Sequence, residues 1–298
     1  MVGGVEMLRN RLSIGDKVFY IIDYIFVALV AIVALYPFIF IFSASVSNSA
    51  ALGRGEVWLL PRGFNTDAYE IVLEDKAVWS SYGNTIWYVV VGTAINMVLT
   101  TFTAYPLSRK NFSGRNKVMM FIAFTMFFSG GLVPSYLLVK KLGLIDTRWA
   151  IVIPAGISTW NLIIMRTFFE SIPQSLHEAA TIDGCSELRI MTRIFLPLSL
   201  PVLSVMVLFY AVDHWNSYFS ALVYLNDQKL YPLQMHLRKI LIQYNQNEML
   251  QELTQGRDVV GQSVRYATII VSTVPILLIY PFLQKYFVKG VMVGAIKG

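Results

Sequence analysis

The 298-residue chain is poor in charge: Asp, Glu, Lys and Arg make up only 14% of it, against 56% hydrophobic residues. Soluble domains carry about 25% charged residues, so there is too little charge here to cover a water-facing surface. That shortage excludes the pair of soluble domains the length would permit and leaves one polytopic membrane domain. Cysteine is scarcer still. Cys185 stands alone, which excludes an intrachain disulfide, and it has no companion at metal-ligand spacing. No G-x-x-x-x-G-K-[ST] run occurs, so the chain has no phosphate-cradling loop of its own. The net charge is +6, but the basic residues are scattered at the ends of apolar runs and form no stripe with interleaved aromatics, which argues against a nucleic-acid partner. There is no fixed-period repeat, low-complexity linker or polar stretch long enough for a soluble domain.

Long apolar runs are what the sequence does have. Uncharged windows lie at 24–53, 77–108, 118–139, 149–165, 194–212 and 266–284, each at or above the roughly 17 residues needed to cross a hydrocarbon core. They predict an all-α membrane protein, a single domain over 1–298, with six transmembrane helices at approximately 20–43, 82–106, 118–139, 149–166, 197–223 and 266–284. The fourth is the weakest, because Pro154, Gly156 and Asn161 dilute it. A re-entrant or buried helix is the alternative there, although losing that span would put the two chain ends on opposite sides. The first stretch is too long for a signal-peptide core and lacks a small-x-small site after it, so it is expected to remain as a span.

Short-loop basic residues set the direction. Arg109, Lys110, Arg115 and Lys117 share a tight loop without acids, and Lys285, Lys289 and Lys297 follow the last span. Both segments are expected in the cytoplasm, and an even span count puts the N-terminus, with Arg9, Arg11 and Lys17, there too. The expectation is a multi-pass protein of the cytoplasmic (inner) membrane with both termini cytoplasmic. Lys140, Lys141 and Arg148 would then lie outside, against the rule. Trp79, Trp87 and Trp149 fall near outer span ends, and Tyr20 and Tyr286 near inner ones, where amphipathic rings sit best.

Between the fourth and fifth spans, a loop over 169–197 has the chemistry of a docking element. Pro173 suits a first helical turn, no breaker follows until Gly184, and Ser186 can cap a second helix with Glu187 near its positive end. The result is a helix-Gly-helix segment. Its first helix, at about ten residues, is marginal alone in water and needs packing to hold it. Ala179, Ala180 and Gly184 reduce side-chain bulk, while Glu178, Asp183, Arg189 and Arg193 supply charge for an interface that forms and shifts. An ordinary cytoplasmic loop is the plain alternative on composition. A DNA-reading helix-turn-helix lacks a third helix to support it.

The segment reads Glu178-Ala179-Ala180, three residues, Gly184, nine residues, Ile194, one residue, Leu196-Pro197. This resembles the cytoplasmic coupling loop of binding-protein-dependent ABC importers. The likeness extends to the six-span plan, to Trp215-Asn216-x-Tyr218, and to the ending Tyr286-Phe287-Val288-Lys289-Gly290 through Gly294, Lys297 and Gly298. Together these are similar to carbohydrate-type permeases, specifically the shorter six-span partner of a two-permease pair. The resemblance implies that Glu178, Ala179, Ala180, Asp183, Gly184 and Arg189 dock a separate ATPase. It also implies a second permease, two copies of the ATPase and an extracytoplasmic binding protein that delivers substrate. The chain itself would be non-catalytic and bind no cofactor or metal, with ATP and Mg held on the partner ATPase.

If the fifth span begins near Leu198, Asp213 lies about 22 Å along it, in the outer half of the membrane. Asp213, Trp215, Asn216 and Tyr218 are therefore candidates for a substrate path, since intramembrane polar groups face protein or water-filled space. Acids and amides match sugar hydroxyls, and rings stack on the apolar face of a pyranose. These residues would equally serve as an interfacial anchor. Trp160 and Asn161 pose the same choice, with helix–helix hydrogen bonding as the competing role. The outer segment 226–265 is too long for a turn and is the candidate contact for the binding protein; a self-packed loop is its alternative. Rival functions are an amino-acid or peptide ABC permease, an ion-coupled transporter using Asp213 and His214, and a membrane anchor or sensor that transports nothing.

Overall fold

The computed structural model describes residues 13–242 and 262–278. Among these residues the chain is helical, and its β-type pairing is an isolated antiparallel bridge between Ser47 and Phe64. Packing divides the chain into two compact units, Met1–Val72 with Tyr244–Ile270, and Leu73–Gln243 with Val271–Gly298.

The first unit opens with α1 (Ile14–Ser45), started by a capping box in which the Ser13 N–H donates to the Asp16 carboxylate at 3.0 Å. Its most apolar stretch is not buried at all within the chain. A helix that is apolar all round and left uncovered is suited to lipid. α2 (Ser49–Gly53) is capped by Asn48, and α3 (Asp67–Glu74) follows a loop that returns to the end of α1. α14 (Gln262–Leu278) enters this unit through Ser263, whose hydroxyl lies 2.8 Å from that of Ser49, and Tyr266, whose ring meets Phe40 edge-on at 5.7 Å.

The second unit begins with α4 (Lys76–Ser108), capped by Asp75 and interrupted by a π-helical turn at Tyr88–Gly92. It continues with α5 (Arg115–Phe124), α6 (Leu132–Lys141), α7 (Trp149–Val152), α8 (Thr159–Ser171), α9 (Gln174–Ile182), α10 (Glu187–Leu198), α11 (Leu200–Trp215) and α12 (Tyr218–Tyr224). A 3-10 turn at Gln228–Leu230 and α13 over 233–242 complete it. α4, α8 and α11 pack on one another. Leu162, Met165, Phe169, Phe195 and Met206 form the fully buried centre of their core.

α1 and α4 match the first two expected spans and are long and apolar enough to cross a membrane. The third and fourth expected spans are interrupted. Over 118–139, α5 stops at Phe124 and α6 starts at Leu132, separated by turns that end on Gly131 at φ +84°. Over 149–166, Pro154 and Gly156 fall in the break between α7 and α8, and Ser158 caps the restart by accepting from the Asn161 N–H. The fifth is entered by an 85° bend between α10 and α11, at a step flanked by Pro197 and Pro201. It breaks again after Trp215, before α12. The sixth, 266–284, is described only as far as 278, within α14. The outer loop beyond 242, the basic tail and the motif from Tyr286 onward lie outside the described residues, as do Arg9 and Arg11.

Candidate functional site

α9 ends in a Schellman cap. The Cys185 N–H donates to Ala180 O at 3.0 Å, the Gly184 N–H donates to Thr181 O at 3.0 Å, and Gly184 sits at φ +75°. A Cβ at Gly184 would meet open space, so the glycine is needed for its left-handed backbone, and crowding plays no part. Pro173 is the cap residue, one position before the first helical turn.

The two faces of α9 differ. Ala180 is 6% exposed and belongs to the core, so its small side chain lets the helix lie close on this chain's own spans. Leu176 and Ala179 are exposed, and Ile182, about 160° around the helix from Ala180, faces away from that core at 86% exposed. Leu188, beyond the Gly184 turn, is exposed as well. Asp183 and Arg189 are also exposed, and Glu178 accepts a hydrogen bond from Gln174 at 2.8 Å.

Beneath the segment, Glu187 joins three elements. Tyr105 of α4 donates its hydroxyl to Glu187 Oε2 at 2.7 Å, and His177 Nε2 of α9 lies 3.1 Å from Oε1. Partial burial pushes the Glu187 carboxyl up. The hydrogen bonds from Tyr105 and His177, with the charges of His177 and Arg109, outweigh that and hold it below the ordinary carboxylate range. Arg109 ties α4 to α8 by donating to Phe169 O at 2.9 Å, with its guanidinium 4.2 Å from the Phe195 ring centre. A cavity of about 470 Å³ opens beside these groups, bordered by Arg109, Lys110, Arg115, Glu170, His177 and Glu187. Arg115 and Arg166 both pair with Glu170, at 3.3 and 2.7 Å.

Replacing Glu187 with alanine should loosen the coupling segment from α4 without unfolding the chain. Glu187 is 65% exposed at its side chain, so the loss is about 1 kcal/mol. The check is amide hydrogen exchange in the purified protein: exchange should speed over Gln174–Ile182 and stay unchanged in α8.

Deeper in the helices, Asn96 of α4 is fully buried and holds three elements together. Its Nδ2 donates to Ala155 O at 2.6 Å and Gly156 O at 2.9 Å, and its Oδ1 faces His214 Nε2 of α11 at 2.6 Å. Because the amide nitrogen is occupied by two carbonyls, the proton in the last contact belongs to His214 Nε2. A second layer lies alongside. The Thr100 and Tyr210 hydroxyls are 2.7 Å apart, and the Ser158 N–H donates to Tyr210 Oη at 3.2 Å. Gly92, in the π-helical turn, faces the same imidazole so closely that a Cβ there would collide with it.

The candidate path residues are not gathered on one surface. Asp213 and Asn216 are exposed, and the Asn216 amide donates back to Val212 O at 3.0 Å, closing the end of α11. Trp215 is 8% exposed, and its indole N–H has no partner among the described residues. Tyr218 is half-exposed under the Arg238 guanidinium at 5.5 Å. Trp160 is exposed and Asn161 buried, so these neighbours on α8 do not share an environment.

The start of the outer loop is packed against this chain. Tyr88 Oη donates to Leu230 O at 2.9 Å, Asn84 Nδ2 donates to Lys229 O at 2.6 Å, and Thr85 Oγ1 accepts from the Leu233 N–H at 2.8 Å. Asp146, at φ +60°, accepts the N–H groups of Asn226 and Asp227 at 2.9 and 2.8 Å. The Asp227 and Asn226 amides hold its carboxyl below the usual range. The folded value being the lower one, this tie is present above the unfolded carboxylate pKa of about 3.9 and is lost as pH falls through the folded value. Asp146→Ala should therefore speed amide exchange at 226 and 227 at pH 7; equal exchange in variant and wild type would refute the tie.

Among the described residues no group of three or more His, Cys, Asp or Glu could hold a metal ion, and Cys185 is a half-buried free thiol. Sequence reasoning missed Tyr105, His177 and Glu187 as a linked set, Asn96 as a buried hub, and Arg109 as more than a topogenic charge. The one available signal was polar residues, Asn96 and Thr100, inside an apolar run at helical spacing.

A long uncovered apolar helix, further apolar helices bent and broken around a buried polar hub, and an exposed helix-Gly-helix segment define a membrane transport component. The chain belongs to the family described as binding-protein-dependent transport system inner membrane components, whose profile matches residues 1–293. It is 41% identical to Protein LplC of Bacillus subtilis (strain 168) over 95% of this chain and 96% of that one. It is also 41% identical to the polygalacturonan/rhamnogalacturonan transport system permease protein YtcP of the same organism, over 95% and 99%. Among solved structures it is similar to a chain of a bacterial ABC transporter involved in the import of the acidic polysaccharide alginate, at TM-score 0.85 and 39% identity, covering 93% of this chain and 99% of that one. A chain of the alginate transporter in complex with a pentasaccharide-bound periplasmic protein matches at TM-score 0.52 and 15% identity, which supports the fold alone.

Proposed function

We propose that this chain is the permease subunit of an ATP-driven importer that moves a carbohydrate, in the size range of an oligosaccharide, across the cytoplasmic membrane. The observation that carries this reading is the cargo named for relatives matched nearly end to end at 39–41% identity, polygalacturonan or rhamnogalacturonan for one and alginate for another. Those names favour sugar over an amino-acid or peptide cargo. In this reading the chain crosses the membrane six times with both termini in the cytoplasm, and a second permease completes the path. Two copies of a separate ATPase dock at the coupling loops, and an extracytoplasmic binding protein delivers the substrate.

The exposed Leu176, Ala179 and Ile182 supply an apolar stripe for the ATPase, with Asp183 and Arg189 at its rim. ATP and Mg belong to the ATPase, whose closure draws the paired coupling helices together. Glu187 passes that displacement to α4 through Tyr105, and hydrolysis resets the bundle. Polar groups at the outer end of α11, Asp213 and Asn216 among them, line the sugar's route.

The test is to isolate the chain from its native membrane, identify the co-purifying proteins, and screen the binding protein by thermal shift against neutral and uronate-containing oligosaccharides. Co-purification of a second permease and an ATPase, with stabilisation by oligosaccharides, is the expected result. Stabilisation by amino acids or peptides alone would transfer the chain to the rival class.

A further inference from the structure

We infer that the loop from Trp58 to Phe64 is an interfacial anchor, seated in the headgroup region of the lipid bilayer beside the end of α1. The inference rests on reading α1 as a membrane span. Asp23 is the last charged residue of α1, and the uncharged stretch from 24 to 43 rises about 30 Å, the thickness of a hydrocarbon core. Ser43 therefore marks the level where acyl chains give way to headgroups.

The loop is pinned at that level. Ser43 Oγ donates to Leu59 O at 2.7 Å, Ser47 Oγ accepts from the Arg62 N–H at 3.0 Å, and the Asn48 N–H donates to Gly63 O at 2.8 Å. Ser47, just past the end of α1, donates its hydroxyl to Ser43 O at 2.6 Å, so both serines hold the loop at the same level. Gly63, at φ +62°, lets the chain turn back there.

What the loop presents at this depth is apolar. Trp58 is 69% exposed, Leu59 53%, Leu60 76% and Phe64 75%. Trp58 satisfies its own N–H by donating to Gly55 O at 3.1 Å, so it needs no outside acceptor. Phe38, Ile39 and Phe42, in the last turns of α1 before and beside the Ser43 tie, are exposed and apolar as well, which is the argument for lipid as the occupant. Aromatic and aliphatic side chains at the rim of a span partition into the interface, and Arg62, exposed among them, is placed for a lipid phosphate.

The test uses the complete transporter in proteoliposomes, with this chain carrying Cys185→Ser and a single cysteine at Leu60 or, separately, at Phe64, labelled with an environment-sensitive dye. Lipids spin-labelled at a shallow acyl position should quench the dye about twofold more than deeply labelled ones, and aqueous iodide should quench little. Reference labels at Ile25 and Val27, about 200° apart around α1, report whether the span itself meets lipid. If both references escape lipid quenching, the span reading fails and takes the anchor with it. If a reference is quenched but the loop labels respond to iodide alone, the loop stands in water. If they respond to neither quencher, another protein subunit covers them. Either of these last results overturns the anchor and leaves the span intact.

Discussion

In the importer proposed above, replacing Ile182 with glutamate should abolish uptake while the chain still inserts and pairs with a second permease. Ile182 is 86% exposed, at the end of an exposed row with Leu176 and Ala179. The substitution removes about 2 kcal/mol of apolar burial at the docking surface. It also asks a carboxylate to be desolvated without a partner, which adds at least as much again. A total near 4 kcal/mol is roughly a 1000-fold weaker association with the ATPase. Co-purification of the ATPase on tagged permease measures it directly, and Ile182→Val, which keeps most of the apolar contact, should remain close to wild type. Wild-type ATPase recovery with the glutamate variant would remove Ile182 from the docking surface.

Replacing Asn96 with alanine should have the other large effect, this time on stability. The change leaves the Ala155 and Gly156 carbonyls and the His214 N–H without their partner in a region sealed from water. Membrane hydrogen bonds are individually modest, about 0.6 kcal/mol on average, yet each stranded buried group adds about 1 kcal/mol. The sum is about 3 kcal/mol, enough to lower the apparent melting temperature of the purified complex by roughly 6–12 °C. Gly92→Ala attacks the same junction from the other side, by driving a methyl group into the His214 ring. Asn96→Ala at wild-type melting temperature would mean that the hub stabilises nothing.

The parts of this fold that were legible in the sequence are those governed by local chemistry. The uncharged run of α1 and the glycine that ends α9 could both be read directly, because apolar length and a left-handed cap leave marks within a few residues. The interruptions in the third and fourth expected spans left marks too: Pro154 with Gly156 could be read as weakening the fourth, while a search for uncharged windows steps over Gly130-Gly131 in the third. Other features had no local mark. Asn96 meets His214 across 118 residues and Tyr105 meets Glu187 across 82, and neither pairing follows from periodicity. Ala180 shows the same limit from the other side: its small side chain is legible, but only the packing shows that it is turned toward this chain's own core. The outward positions that matter, Leu176 and Ile182, are ordinary aliphatic residues in sequence and stand out only once the helix has a direction.

The most direct test of the central claim is uptake of a labelled oligosaccharide into proteoliposomes containing this permease, its partner permease and the ATPase, with loaded binding protein outside and ATP sealed inside. Accumulation that requires ATP and is lost with Ile182→Glu is the predicted result. Accumulation driven by an ion gradient without ATP, or ATP hydrolysis with no sugar entering, would contradict it.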